Sequence, residues 1–258
     1  MHKKLISHAV QAALFSSALA IPEFTLAEEA KLEEVVVVAR RRSEDLQQVP
    51  IAVTAFTSNE IQSAGISRPQ DFISLTPNVS IVDTANAGDT QVTIRGQYST
   101  RDAESTFAYV VDGVLITNPN GFNGELYDIE QIEVLKGPQG ALYGRNAVAG
   151  AIIVNTKRPT NEFEASVKGT LGDDNLKKAQ AMVSGPLIAD QLYGRLTAFY
   201  GKSDGQFKNK FTGDDDKVNY SEETAVRGRV IWEPTDRLNV DMIGSYREVE
   251  GGAINFNA

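Results

Sequence analysis

Nucleophilic and metal-assisted catalysis draw on a short list of side chains, and this chain is poor in them. It has no cysteine, so thiolate nucleophiles, disulfides and cysteine-ligated metals are excluded. Its two histidines, His2 and His8, fall in the first ten residues. They are followed by a mostly apolar run from Val10 to Ile21 and a small-residue site at Thr25-Leu26-Ala27, with Lys3 and Lys4 at the front. That is the build of a secretory signal peptide over residues 1–27, and after cleavage neither a histidine triad nor histidine-ligated zinc is available. Asp214, Asp215 and Asp216 suggest calcium, but the ligand spacing and glycine of an EF-hand loop are missing, and a solvated loop accounts for them better. Gly137, Gly140, Gly144 and Gly150 suggest a phosphate cradle, yet no Gly-Lys-Ser/Thr ending or helix-opening GxGxxG accompanies them. Their reading is tight turns and close backbone approach. The expectation is a protein that is not an enzyme, with no cofactor and no metal.

Charge narrows the partners. The 258 residues hold 25 basic and 34 acidic side chains, a formal net of -9, without a basic stripe, which argues against nucleic acid. With 41% hydrophobic and 23% charged residues the chain is composed as a folded protein.

The elements that position these side chains change character along the chain. Residues 28–48 are polar and charge-rich around Val35 to Val38, four valines that favour a strand with no evident local partner. Such a segment either adds to another protein's sheet edge or is an internal strand, and its pattern leaves both open. Residues 49–158 read as a mixed α/β domain. VPIAVTAF is a strand, Thr57 or Ser58 caps a short helix stopped at Gly65, Pro69 to Leu75 is a second helix, and VSIVD, QVTIRG, FAYVVDGVLI and IEQIEVLKG are compact β runs. Residues 159–258 change to alternating segments of about 8 to 11 residues, the length and period of membrane barrel strands. EASVKGTL sets Ala165, Val167, Gly169 and Leu171 on one face, with Ser166, Lys168 and Thr170 on the other. KAQAMVSG, LYGRLTAFYG, AVRGRVIW and LNVDMIGSY follow, with Arg195, Arg227, Arg229 and Asp241 on the polar face. A soluble sandwich with one wet face also alternates. Aromatic residues near segment ends (Phe163, Tyr193, Tyr200, Trp232, Tyr246) and the long polar connection before Tyr220 favour the barrel. About five strands cannot close one, since such barrels begin at about eight, so the expectation is the front portion of a longer protein or a truncated product.

The ordered motifs resemble those of TonB-dependent outer-membrane receptors. EEVVVVA, comprising Glu33, Glu34, Val35, Val36, Val37, Val38 and Ala39, is similar to a TonB box. VTIRG (92–96), YVVDGV (109–114) and IEQIEVLKGPQGALYGRNAVAGAIIVNTKRP (129–159) resemble plug strands and the plug's end, although Ala149-Gly150 stands where the family more often has Gly-Gly. The resemblance implies an α+β plug domain followed by the first antiparallel strands of a transmembrane β-barrel, incomplete in this chain, in the cell outer membrane. It implies uptake of a large ligand, first among candidates a ferric siderophore, with TonB, the ligand and outer-membrane lipid as partners. A cobalamin or glycan ligand, or a truncated, non-transporting fragment, are the alternatives. Ligand contacts are expected from the loops 83–89, 97–105 and 117–124, with Tyr98, Arg101, Asn118, Asn120 and Phe122 as candidates, since an arginine with aromatics suits an anionic aromatic chelate. The resemblance also implies Arg95, Lys136 and Arg145 as plug cations facing acidic groups on the barrel wall, with partners in strands beyond this chain.

Overall fold

The computed structural model describes residues 36–37, 44–45, 51–83, 90–99, 104–118, 121–206 and 218–252. All of them lie in one compact unit, Val35–Ala258. The signal-peptide reading and the Asp214 to Asp216 loop fall outside the described residues.

A short hairpin pairs β1 (Val36–Val37) antiparallel with β2 (Glu44–Asp45). The valine segment therefore has a local partner, contrary to the expectation that nothing nearby could pair with it. Beyond it comes β3 (Ala52–Thr57), which runs directly into helix α1 (Ser58–Ser63). Thr57 is the cap: its hydroxyl accepts from the Glu60 amide at 3.4 Å while the Glu60 carboxylate accepts from the Thr57 amide at 2.8 Å. Gly65, at φ +68°, closes the turn after it. Helix α2 (Pro69–Ser74) starts on a proline, with Asp71 Oδ2 accepting the Ser67 and Arg68 amides at 2.7 and 2.8 Å. β4 (Val79–Asp83), β5 (Thr90–Ile94) and β6 (Gln97–Tyr98) form a small antiparallel sheet.

The main sheet adds β7 (Phe107–Val111), β8 (Val114–Ile116), β9 (Ile129–Lys136) and, after the one-turn helix α3 (Gly140–Tyr143), β10 (Gly150–Thr156). Its order is β3-β9-β10-β7-β8, antiparallel except for the parallel β7–β10 pair. Both faces are covered, which is why β7, β9 and β10 read as nearly continuous apolar runs. Ile132, Val134, Ile152, Val154, Phe72 and Ile73 share one buried cluster, and Leu135, Ala108, Val110, Ala151, Ile153 and Val37 share another. At Gly150 a Cβ would collide with the Leu135 carbonyl oxygen, so the second position of Ala149-Gly150 requires glycine while the first, buried as alanine, does not.

The remaining strands make a separate antiparallel meander: β11 (Glu164–Leu171), β12 (Lys177–Ile188), β13 (Leu192–Ser203), β14 (Ser221–Thr235) and β15 (Leu238–Gly251). After β11 the strands have 12, 12, 15 and 14 residues, longer than expected, because the ladders run past the apolar stretch into polar pairs such as Lys202 with Glu222 and Glu222 with Glu250. Register sorts the two faces. Val167, Ala181, Ala198, Val226 and Tyr246 lie in one cross-strand row and Val183 and Leu196 pair beside it, all pointing away from the plug. Val167 is 86% exposed, on a face suited to lipid rather than water. Phe163 lies against Gly185 and Leu187 against Gly194, covering backbone that would otherwise face lipid. The opposite face carries Lys178, Ser184, Arg195, Thr197, Phe199, Glu223, Arg229 and Asp241 toward the plug. No helix among the described residues is long and apolar enough to cross a membrane.

Candidate functional site

Of the valine segment, Val36 and Val37 are described; Glu33, Glu34, Val35, Val38 and Ala39 are not. Val37 is fully buried in the cluster of Leu135, Ala151 and Ile153. The Val36 carbonyl accepts a 2.8 Å hydrogen bond from Gln131 Nε2 on β9. Two short strands, one buried methyl pair and one side-chain bond thus hold the segment on the plug.

The candidate ligand contacts divide. Tyr98 is 65% exposed on β6 and Asn118 is exposed at the start of its loop, while Arg101 and Asn120 lie outside the described residues. Phe122 is corrected: it is 3% exposed, with its ring edge-on to Phe107 at 5.1 Å and Tyr109 at 4.9 Å. It packs the core and anchors its loop, which the sequence could not show because an aromatic in a polar loop serves either purpose. Burial holds the Tyr109 phenol up at about 12, against the opposing charges of Arg247 and Arg227.

The expected plug cations have these neighbours among the described residues. Arg145 pairs with Glu104 of the plug at 3.1 Å, both exposed. Lys136 Nζ donates to Thr54 Oγ1 at 3.1 Å and to the Pro77 carbonyl at 3.3 Å, and burial, then the neighbouring Arg95, lowers its pKa. Arg95 itself sits in a tight turn at φ +52°, against Gly137. Among the described residues all three meet plug groups, and the buried ion pairs that cross from plug to wall run from the plug carboxylates Asp128 and Asp112 to the wall arginines Arg195 and Arg229, with exposed Arg158 pairing Asp241 of β15 in the opposite sense at 3.0 Å.

Asp128 is the centre of that interface. Its carboxylate takes a two-pronged bond from Arg195 on β13, at 2.6 and 2.7 Å, and a third from the Thr197 hydroxyl at 2.8 Å. Both charged side chains are at most 6% exposed. Burial pushes the Asp128 carboxyl up, but the bonds from Arg195 and Thr197 outweigh it and leave its pKa below the ordinary value. Its backbone is left-handed, φ +57°, a conformation aspartate tolerates, and its carbonyl accepts from the Lys157 amide at 3.1 Å, where the chain leaves the plug for the wall. Asp112 plays the matching part on the β7–β8 turn at φ +47°. It accepts from the Thr156 amide and hydroxyl at 2.9 Å each and faces Arg229 of β14 at 3.5 Å. Arg229 in turn donates to the Thr156 carbonyl at 3.1 Å and to Asp241 of β15 at 2.7 and 2.9 Å. Between these clamps Tyr127 stacks on Phe199 at 5.5 Å, with the Arg227 guanidinium 4.4 Å from its ring centre. Asp112 and Asp128 were not foreseen. The signal available was an aspartate in a left-handed turn position opposite unmatched arginines on a strand's polar face.

The arrangement fastens a folded domain to a membrane-type sheet through buried ion pairs. Residues 45–151 match the TonB-dependent receptor plug domain family. The pesticin receptor of Yersinia pestis is 27% identical over 202 residues, covering 77% of this chain and 30% of its own length. The probable TonB-dependent siderophore receptor PirA of Acinetobacter baumannii is 29% identical over 251 residues, covering 83% of this chain and 31% of its own. In fold, the chain is similar to the ferric yersiniabactin uptake receptor FyuA from Yersinia pestis, with a TM-score of 0.72 at 24% identity over 77% of this chain and 32% of that one. The chain spans about 30% of the length of the curated relatives it matches.

Proposed function

We propose that this chain, whose residues 45–151 match the TonB-dependent receptor plug domain family, lies in the outer membrane and acts in TonB-dependent uptake of a large ligand, a ferric siderophore. The observation that carries the reading is the buried Asp128–Arg195 pair, which fixes the plug against the inward face of strands whose outward face is built for lipid. A plug so held closes a passage until work is done on it. The β1 segment is the place for that work. Backbone pairing with TonB asks little of side chains, and a two-residue strand held by Gln131 and one buried valine is weakly enough retained to be exchanged. Tyr98, Asn118, Arg101 and Asn120 are the proposed ligand contacts, and the domain limits 28–48, 49–158 and 159–258 are proposed with them.

The test is uptake of iron-55 supplied as ferric yersiniabactin, with a second arm of other ferric chelates, in cells carrying or lacking the gene and in a TonB-deficient background. Uptake of at least one chelate that requires both gene and TonB is expected. Uptake of none, or uptake indifferent to TonB, refutes the proposal.

A further inference from the structure

The lipid-type face of the wall sheet carries two pairs of facing glycines, and they differ in what covers them. A Cβ at Gly185 would meet the Phe163 ring at 3.4 Å, and one at its partner Gly194 would meet Leu187 at 3.2 Å. Gly228 pairs with Gly244 in the neighbouring outward row, and there a Cβ would meet nothing within 4 Å at either position. Bare backbone at Gly228 thus floors an open slot of about 410 Å³, walled by Phe163, Val183, Leu187, Leu196 and Val230. A second hollow of about 320 Å³ continues it past Val183 and Leu196. Dispersion contacts are forfeited wherever taller side chains overhang an unfilled floor.

The slot has a defined depth. Short turns join Ile188 to Leu192 and Thr235 to Leu238, and in a membrane barrel short turns face the periplasm. Trp232, outward and 43% exposed, lies at that end of the slot. Gly228 is four residues along the same strand, about 13 Å away. The apolar band of such a barrel is about 25 Å tall, so the slot runs from its periplasmic edge to about its middle, the depth of one leaflet. Beyond Trp232 the two short turns shape a hollow of about 530 Å³ whose lining includes Asp190, Glu233, Asp236 and Arg237. Three carboxylates there share one guanidinium. Asp190 and Glu233 accept from the neutral side-chain amides of Asn161 and Asn239, which leaves their charge in place.

We propose that slot and hollow together hold one inner-leaflet phospholipid with a primary ammonium headgroup, of the phosphatidylethanolamine class. One acyl chain lies over Gly228 and Gly244, the ammonium sits among Asp190, Glu233 and Asp236, and Arg237 meets the phosphate. A purely anionic headgroup on the same chains is repelled by the carboxylates that attract the ammonium. The site rests on the outer-membrane reading given above, and not on TonB or on any transported ligand.

The test is native mass spectrometry of the protein extracted from isolated outer membranes in mild detergent and offered equal amounts of dioleoyl-phosphatidylethanolamine and dioleoyl-phosphatidylglycerol. Retention of the former several-fold above the latter is expected. Gly228→Leu, which fills the slot, should reduce that adduct several-fold. Gly169→Leu, the same insertion at an open outward glycine outside the slot, should leave it unchanged. Asp190→Asn combined with Asp236→Asn should level the two lipids. Equal retention of both lipids by the wild-type protein, an adduct indifferent to Gly228→Leu, or equal loss in both leucine variants overturns the proposal, because the lipid is then only the general annulus. A protein missing from the outer-membrane fraction overturns the membrane reading as well, an outcome that fractionation reports separately from the lipid adducts.

Discussion

Replacing Asp128 by asparagine isolates the charge of the plug-to-wall clamp. Asparagine is nearly the same size and accepts the left-handed backbone of this position, so the change is electrostatic rather than conformational. It leaves Arg195 buried with Glu164, at 3.2 Å and about half exposed, as its remaining carboxylate. Removing one partner of a buried pair costs about 3–5 kcal/mol, and the residual Glu164 contact places this case at the lower end, about 3 kcal/mol. At about 1.4 kcal/mol per tenfold, the plug-to-wall contact should open on the order of a hundredfold more often. Amide hydrogen exchange at Glu125 in the detergent-solubilised chain reads that opening, because this plug amide donates to Glu223 of β14 at 3.2 Å and is released when the plug lifts from the wall, whereas the β10 amides are held by β7 and β9 within the plug and serve as the internal reference. Exchange within about threefold of wild type, under about 0.7 kcal/mol, would refute the reasoning. So would simple additivity with Arg195→Met, since a charge left without its partner should be relieved when the partner is removed too. The pH dependence has a fixed sign. The folded-state pKa of Asp128 lies below its ordinary 3.8, so the clamp's contribution is fully present above 3.8 and is lost as pH falls through the lower folded value. Exchange should be flat on this account from neutrality down to that point and rise below it in the wild type, but show no such step in Asp128→Asn.

Gly150→Ala should destabilise the plug by about 1–3 kcal/mol or more, since the new methyl meets the Leu135 carbonyl rather than a side chain that can swing away, and urea unfolding of the plug measures it. Tyr109 should stay un-ionised until about pH 12, and Tyr127, raised by burial, should lag behind free tyrosine; the late part of an alkaline absorbance titration should lose amplitude in Tyr109→Phe and in Tyr127→Phe, with plug stability falling between pH 10 and 12 as the unfolded chain ionises first. Val36→Pro removes a strand donor and should abolish capture of a TonB C-terminal domain with the plug intact, whereas Gln131→Leu, which frees the Val36 carbonyl, should increase capture. Unchanged capture in both variants would discard the β1 segment as the TonB contact.

Sequence by itself determined the elements and their order. Thr57-Ser-Asn-Glu60 states its own capping box, the proline at 69 opens a helix, and period-two alternation from 164 onward sorts lipid-facing valines from inward arginines, because each of these depends on neighbours within a few residues. The absence of cysteine removes thiolate and disulfide chemistry from these 258 residues in the same local way. Tertiary structure alone decided pairing across distance. Asp128 meets Arg195 67 residues on, and the Glu125 amide meets Glu223 98 residues on. The valine strand finds Glu44–Asp45, and Phe122 turns inward to two aromatic rings. A carboxylate in a turn looks the same in sequence whether water or a guanidinium faces it. Its partner is chosen by where the sheets pack, so the pairing of Asp128 with Arg195 and of Asp112 with Arg229 became visible only when plug and wall were brought together.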